Sequence, residues 1–458
     1  MKVIADLQLH SKYARAVSPQ MVVPYIWEWA KRKGIGLIAT GDWTHPLWFR
    51  EIKDNLEETG KGLLKLKTNS ENLKTEEGPL FLLETEVSCI YSQGGRLRRI
   101  HILIWVPSIS SAEKINNKLM SLGANLMSDG RPIMGLTSKQ IAETALSIDP
   151  KSLVIPAHIW TPWFSLFGSE SGFDSITECF GEFSRYIYAV ETGLSSNPAM
   201  NWRVKDLDTR SIVSFSDAHS GPKLGREATV FELEDLSFEN IRKAITAPAR
   251  VPNESGIRHN DAKNKIDYTI EFYPEEGKYH YTGHRNCSIR QNPEETRSKG
   301  TICPVCGRKL TVGVMHRVDQ LAGRTEEELK LVYKKMDKIL AKTIFSQVLT
   351  DRQPYIMLVP LQEILAEAIG GMPTSKSVQN EYQKLIEYFG SEFNILLNAV
   401  TADLTRISGG KVSEAIERVR EGQIHIDPGY DGVFGKVKIW PENEKGQKSD
   451  KKDQMSLF

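Results

Sequence analysis

The sequence predicts an α/β fold for residues 1–250, on three observations. Short apolar runs alternate with segments of helical spacing. The runs are apolar throughout rather than alternating, as in strands of a largely parallel sheet buried on both faces. Histidines and carboxylates recur where these runs end, and parallel α/β folds gather functional groups at the carboxyl ends of their strands.

In chain order, strands are expected over 3–5, 36–39, 80–83, 100–106, 153–155 and 212–215, with helices over 22–33 and 138–147 between them. Residues 58–78 are rich in Lys, Glu, Asn and Thr and read as a surface insertion. The composition turns polar and broken over 247–265, which marks the end of a first domain at about residue 250. A cysteine cluster occupies a second unit, 266–320. Helical spacing then predicts a C-terminal helical domain over 321–440, with helices at 326–349, 361–369, 378–389, 392–405 and 412–420. A short strand is expected within 433–440, and 441–458 reads as a disordered, charged tail.

The 458 residues are 40% hydrophobic and 26% charged, which excludes a disordered or fibrous chain. Net charge is +1, so bulk charge does not argue for nucleic acid. No apolar stretch approaches the ~20 residues of a membrane span, and Asp6 interrupts the amino terminus too early for a signal peptide. A cytoplasmic protein without a membrane partner is expected. The five cysteines are too few and too uneven for a disulfide framework. Cys89 and Cys179 read as apolar core residues.

His10, His45, His101, His158 and His219 each sit at or just past an apolar run, and Asp42, Glu84, Glu86 and Asp217 share such positions. Imidazole and carboxylate are the ligand set of Zn, Mn or Fe. Clustered divalent metals suit hydrolysis of a phosphate ester, because they activate water near neutral pH and clamp the attacking and leaving oxygens.

The set Asp6-x-x-x-His10-Ser11, Thr40-Gly41-Asp42, Glu86, His101, His158 and Ser216-Asp217-Ala218-His219-Ser220 resembles the PHP (polymerase and histidinol phosphatase) metallophosphoesterases. The resemblance is closer to the endonuclease Q branch. It is carried by His10-Ser11-Lys12-Tyr13, His45-Pro46-Leu47-Trp48, Thr161-Pro162-Trp163, Glu191-Thr192-Gly193 and Leu224-Gly225-Arg226-Glu227, and it covers roughly residues 1–320. It implies a distorted β/α barrel with a three-metal site filled by divalent ions (Zn, Mn, Mg or Fe). It also implies nicking of DNA on the 5′ side of deaminated bases, such as uracil or hypoxanthine, or of abasic sites. Carried over residue by residue, the metal ligands would be His10, Asp42, His45, Glu86, His101, His158, Asp217 and His219. Asp217, His158, His219 and Glu86 would carry catalysis. The family opens with His-x-His, whereas this chain has Gln8-Leu9-His10. An amide oxygen is a poorer ligand than imidazole, so Gln8 is a doubtful one. The alternatives are a PHP-type phosphoesterase on a small molecule, or a non-catalytic, lesion-binding protein associated with a clamp.

His284-x-x-Cys287 followed by Cys303-Pro304-Val305-Cys306-Gly307 reads as a structural zinc site. His284 is the first choice for the fourth ligand and His280 the second. Arg96, Arg98 and Arg99 could meet phosphates. Trp43, Trp48, Trp160 and Trp163 could stack an extruded base or pack the core. The last five residues, Gln454-Met455-Ser456-Leu457-Phe458, resemble the bacterial sliding-clamp-binding peptide, with Gln454, Leu457 and Phe458 as its contacts. The expected partners are therefore lesion-bearing DNA and a sliding clamp, and the expected location is the nucleoid.

Overall fold

The computed structural model describes residues 1–67, 78–247 and 263–441. Its first twelve strands are β1 (Lys2–Asp6), β2 (Leu37–Ala39), β3 (Leu56–Glu58), β4 (Leu64–Leu66), β5 (Leu80–Gln93), β6 (Arg96–Val106), β7 (Ile133–Met134), β8 (Leu153–Pro156), β9 (Ala189–Glu191), β10 (Ser211–Val213), β11 (Ala228–Glu232) and β12 (Lys265–Glu271). β1, β2 and β5 pair in parallel, as do β9 and β10. The pairs β5–β6, β6–β8, β1–β11 and β11–β12 are antiparallel. The sheet is therefore mixed, which corrects the largely parallel expectation. The long β5–β6 ribbon runs on to Gln93, well past the apolar run at 80–83.

Eight strands succeed one another in a ring. β1, β2, β5, β6 and β8 follow by ladders. From β8 the path passes to β9 through Ile159 N donating to Glu191 O at 3.2 Å. From β10 it passes to β11 through Ser214 N donating to Thr229 Oγ1 at 3.0 Å, and β11 pairs with β1. Alternate residues fill the interior: Val3, Ala5 and Leu7, then Leu103 and Trp105, Leu153 and Ile155, and Val213 and Phe215 share one buried cluster. Helices pack outside, including Val23–Lys33 and Ser138–Ile148 within a residue or two of their expected bounds.

His284 and Cys287 of the zinc-type motif lie on a hairpin of β13 (Thr282–His284) and β14 (Ile289–Gln291), and Cys303 and Cys306 lie on a knuckle closed by the Ile302–Lys309 bridge. Beyond it the helix expected over 326–349 is absent. β15 (Leu331–Lys335) and β16 (Lys342–Ser346) pair antiparallel, and β17 (Tyr355–Met357) joins β16 to β12, so this segment extends the main sheet. Its Val, Tyr, Ile, Thr and Phe content suits a pleated surface, and Lys338, at φ +64°, turns the chain between the two strands. The helical part therefore starts at Leu361 rather than at 321.

The helix expected over 392–405 is two helices, Glu392–Leu397 and Thr401–Ser408. Buried Arg420 explains the break. Its guanidinium donates to Leu396 O (2.9 Å), Ile395 O (2.7 Å) and Ala399 O (2.7 Å), carbonyls that a continuing helix would use itself. A second buried hub joins the two halves of the molecule: Lys33 Nζ lies 2.7 Å from Glu392 Oε2. The carboxylate also accepts from Tyr382 OH (2.9 Å) and Leu361 N (3.0 Å). The strand expected within 433–440 is Lys436–Lys438, paired with His425–Asp427. Among the described residues no helix is long and apolar enough to cross a membrane. Most of the tail, with Gln454, Leu457 and Phe458, lies outside the described residues, as does most of the expected boundary segment at 247–265.

Candidate metal centre

Two trios of donors meet just past the ends of β1, β8 and β10 and midway along the β5–β6 ribbon, so Glu86 and His101 lie within strands rather than at the strand ends the sequence suggests. One is His10, Asp217 and His219, and the other is Glu86, His101 and His158. Within each, the ligand atoms lie within 4.8 Å of one another. Strand geometry brings Glu86 and His101 together. On β5, period two puts Leu82, Glu84 and Glu86 on one face, apolar in the ring interior at Leu82 and acidic from Glu84 on. The β5–β6 register sets Glu86 opposite Leu103 and Ser88 opposite His101, so His101 is the diagonal neighbour of Glu86 on that face.

Glu86 links the trios. Its Oε1 faces His101 Nδ1 (2.5 Å) and His158 Nε2 (3.3 Å). Its Oε2 faces His10 Nε2 (3.0 Å) and accepts from Gln8 Nε2 (3.1 Å). His10 Nδ1 donates to Asp42 Oδ1 at 2.9 Å, which turns Nε2 towards Glu86 and towards Asp217 Oδ1 at 3.2 Å. Asp42 Oδ2 accepts from Ser11 N (2.6 Å) and Ser11 Oγ (2.7 Å), so Asp42 orients His10. His45 is the N-cap of the helix Pro46–Asn55. Its Nδ1 accepts from Trp48 N at 3.4 Å, and its ring stacks on Tyr13 with centroids 4.5 Å apart. Neither Asp42 nor His45 belongs to a trio. Gln8 is fully buried, and its Oε1 has no hydrogen-bond partner, an orphaned oxygen beside the ligands.

The loops that carry these donors are tightly set. Asp42, His158 and Asp217 all lie in the left-handed region, at φ 45°, 30° and 47°. Trp48 Nε1 donates to Thr40 O (3.1 Å) and Gly41 O (2.9 Å), pinning the turn into Asp42. A Cβ at Gly193 would fall 2.3 Å from His158 Cβ, so only glycine allows that approach.

Electrostatics sort the carboxylates. Burial raises Glu84 and Glu191 well above the usual range, which favours their protonated forms behind the site. Burial also works against ionised Glu86, but Arg131 and His101 outweigh it and hold Glu86 well below the usual range. Asp217 is likewise lowered, against burial, by its bond from His10. Burial pushes the His101 imidazole down to about 4, leaving it neutral with a lone pair to offer near pH 7. Ionised Glu86 and Asp217 with His10, His101, His158 and His219 form a donor set that fits two divalent cations.

Sequence reasoning missed two participants. Arg131 Nη1 lies 3.5 Å from both Glu86 Oε2 and His10 Nε2. Glu191 Oε2 accepts from His158 N at 2.7 Å and so sets that backbone. A lone arginine in a loop leaves no sequence signal, whereas Glu191 ends a short apolar run like the others. Trp43, Trp48 and Trp160 are fully buried and pack the core, which removes them as stacking platforms for a base. Trp163 is half-buried against Tyr279. The Arg98 guanidinium donates to Gly172 O and covers Phe173, and that of Arg99 lies over Phe164.

A separate cluster joins His284, Cys287, Cys303 and Cys306. His284 Nδ1 is 3.4 Å from Cys306 Sγ. His280 is buried outside the cluster. Gly307, at φ +70°, closes the knuckle with its N–H on Cys303 O at 2.9 Å. Desolvation opposes the Cys303 thiolate, but the amides of Cys306 and Val305 outweigh it and bring the thiol down to about 6. One nitrogen and three sulfurs fit a tetrahedral zinc.

Comparison with known proteins extends over the whole chain. The lesion-specific endonuclease PfuEndoQ from Pyrococcus furiosus superposes with a TM-score of 0.77 at 30% identity, covering 100% of both chains. A complex of endonuclease Q with a 27-mer duplex substrate, its abasic lesion at the active site, gives a TM-score of 0.76 at 32% identity over 97% of this chain and 98% of that one. The Bacillus subtilis protein YqxK is 28% identical over 345 residues, 74% of either chain. The Methanocaldococcus jannaschii protein MJ0043 is 32% identical over 290 residues, 62% of this chain, and the chain spans about a third (32%) of that protein's length. The family model described as the MJ0043 C-terminal domain matches residues 360–423, the stretch of helices from Leu361 to Arg420.

Proposed function

Since the chain belongs to the endonuclease Q family, we propose that it is a metal-dependent DNA repair endonuclease that hydrolyses the phosphodiester 5′ of a deaminated base or an abasic site. The observation that carries this reading is Glu86, whose two oxygens serve two separate trios of donors. A carboxylate shared in this way suits a pair of cations spaced for one phosphate. Divalent ions (Zn, Mn, Mg or Fe) held there would supply Lewis acidity to the phosphorus and charge stabilisation to its oxygens. The chain's own part is to hold those donors. Asp42 fixes the tautomer and direction of His10, Glu191 fixes the His158 backbone, and protonated Glu84 and Glu191 keep surplus charge away from the incoming diester.

The eight-strand ring is read as the PHP-type barrel over residues 1–250, with the cysteine cluster as a structural zinc module at 266–320. Gln8 favours a non-catalytic reading less than the two remaining trios favour hydrolysis. The sliding-clamp partnership and a place at the nucleoid rest on the residue types at 454–458 alone. Truncation after Asp453 should leave nicking of short duplexes unchanged and remove binding to a clamp.

The experiment is a nicking assay on duplexes carrying uracil, hypoxanthine or an abasic site, against an undamaged control, with Mg²⁺, Mn²⁺ or a chelator. Lesion-dependent nicking that the chelator stops is expected. A metal-loaded protein that leaves every lesion uncut would overturn the reading.

A further inference from the structure

We propose that Arg131 is a phosphate-contacting residue of this site, placed to hold a non-bridging oxygen of the scissile diester; the proposal rests on the nuclease reading above. Its guanidinium reaches both trios at the shared carboxylate, 3.5 Å from Glu86 Oε2 and from His10 Nε2.

The backbone beneath it is fixed on three sides. Arg131 N donates to Asp129 Oδ1 (2.9 Å), Gly130 N to Tyr13 O (3.0 Å), and Ser88 N to Pro132 O (3.0 Å). A Cβ at Gly130 would stand 2.4 Å from Asp42 Oδ2, so glycine alone lets this turn close against the residue that orients His10. The arginine is thus tied to the ligand framework at its root.

Its head is comparatively free. Both contacts lie at the outer limit for a hydrogen bond, far from the 2.7–2.9 Å of a committed charged pair. Both use Nη1, and among the described residues the other guanidinium nitrogens are left to a ligand. The side chain is 26% exposed, whereas Glu86 and His10 beneath it are 0% and 1% exposed. A planar fork with spare donors at the mouth of an anionic, cation-binding pocket matches a phosphodiester, which presents two oxygens carrying one negative charge. A donor aimed at charge that grows in the transition state contributes to rate as well as to binding.

The test uses the full-length protein loaded with Mn²⁺, as wild type, Arg131→Met and Arg131→Lys. Three quantities are read: bound metal per chain, the affinity for inorganic phosphate by calorimetry, and kcat/KM on an abasic duplex. At saturating Mn²⁺, where the cations would themselves favour ionised Glu86, metal content should be unchanged. Arg131→Met should bind phosphate about tenfold more weakly and nick about 100-fold more slowly. Arg131→Lys, which keeps the charge without the fork, should fall between and guards against misfolding of the methionine variant. Wild-type phosphate affinity and nicking in both variants would overturn the proposal. So would a parallel loss of metal in both, since Arg131 would then be supporting the ligands rather than the phosphate. If the wild type nicks no lesion while phosphate binding still depends on Arg131, the nuclease reading fails and the contact stands.

Discussion

The Gln8 side chain donates from Nε2 to Glu86 Oε2 across 3.1 Å and leaves its own buried Oε1 without a partner. The amide thus spends its donor on the shared carboxylate, where an imidazole would offer a lone pair to a cation. Gln8→His should raise metal affinity at the His10 trio. Metal analysis of the two proteins, prepared side by side at limiting metal, should show higher occupancy in the variant. Equal occupancy would mean that the Gln8 oxygen already ligates as well, or that it lies outside the coordination shell.

Asp217→Ala and His158→Ala each remove one donor from a different trio. Losing a metal position is worth several kcal/mol of transition-state stabilisation, so nicking should fall by about 10³-fold or more. Circular dichroism and melting should stay close to wild type. Turnover near the wild-type rate in both variants would remove these trios from the active site.

Cys303→Ser should lose one zinc per chain and loosen the hairpin of β13 and β14. Thiolates bind the metal, and the Cys303 thiol titrates at about 6, so zinc affinity should weaken as pH falls through that region. A chromophoric chelator followed from pH 8 to pH 5 reads both effects. Zinc content unchanged by the substitution would refute the assignment.

Glu271 lies fully buried beyond the ring, accepting from Ser214 Oγ at 2.5 Å and from Thr269 Oγ1. Burial raises its carboxyl from 4.5 to about 7. Between those values the folded chain keeps a proton that the unfolded chain has lost, so this group's contribution makes stability fall as pH rises across that window. Glu271→Gln should remove that loss. Relative to wild type, the variant should gain on the order of 2 kcal/mol, a few degrees in melting temperature, between pH 5 and pH 8. Parallel melting profiles would show that the carboxyl titrates normally.

The legible part of the site was the part written locally. His10, Glu86, His101, His158, Asp217 and His219 each sit in or just past a short apolar run, and the β5–β6 pleat together with the loops after β1, β8 and β10 delivers them to one place. His45 carried the same signature but serves as a helix cap, because the proline after it starts a helix there. Arg131 was illegible because its loop reaches the site only through pairing with β5 and through Tyr13. The strands at 331–346 read as helix because their Leu, Lys and Ala suit a helix as well, and the choice is made by distant β17 and β12. The split at Leu397 was hidden for a similar reason, since Arg420, far along the chain, takes the carbonyls. The choice between His284 and His280 needed the turn at Ser288, where φ is +52°.

Three donor-bearing loops hold Asp42, His158 and Asp217 in backbone conformations that suit glycine better. Each such residue costs on the order of 1 kcal/mol or more. Heat-tolerance screens reward relief of that cost, and glycine at any of these positions would supply it while deleting a side chain of the centre. Survivors of such a screen would be enriched in hardy, inert molecules. An improvement campaign on this scaffold therefore has to score metal retention alongside melting at every round.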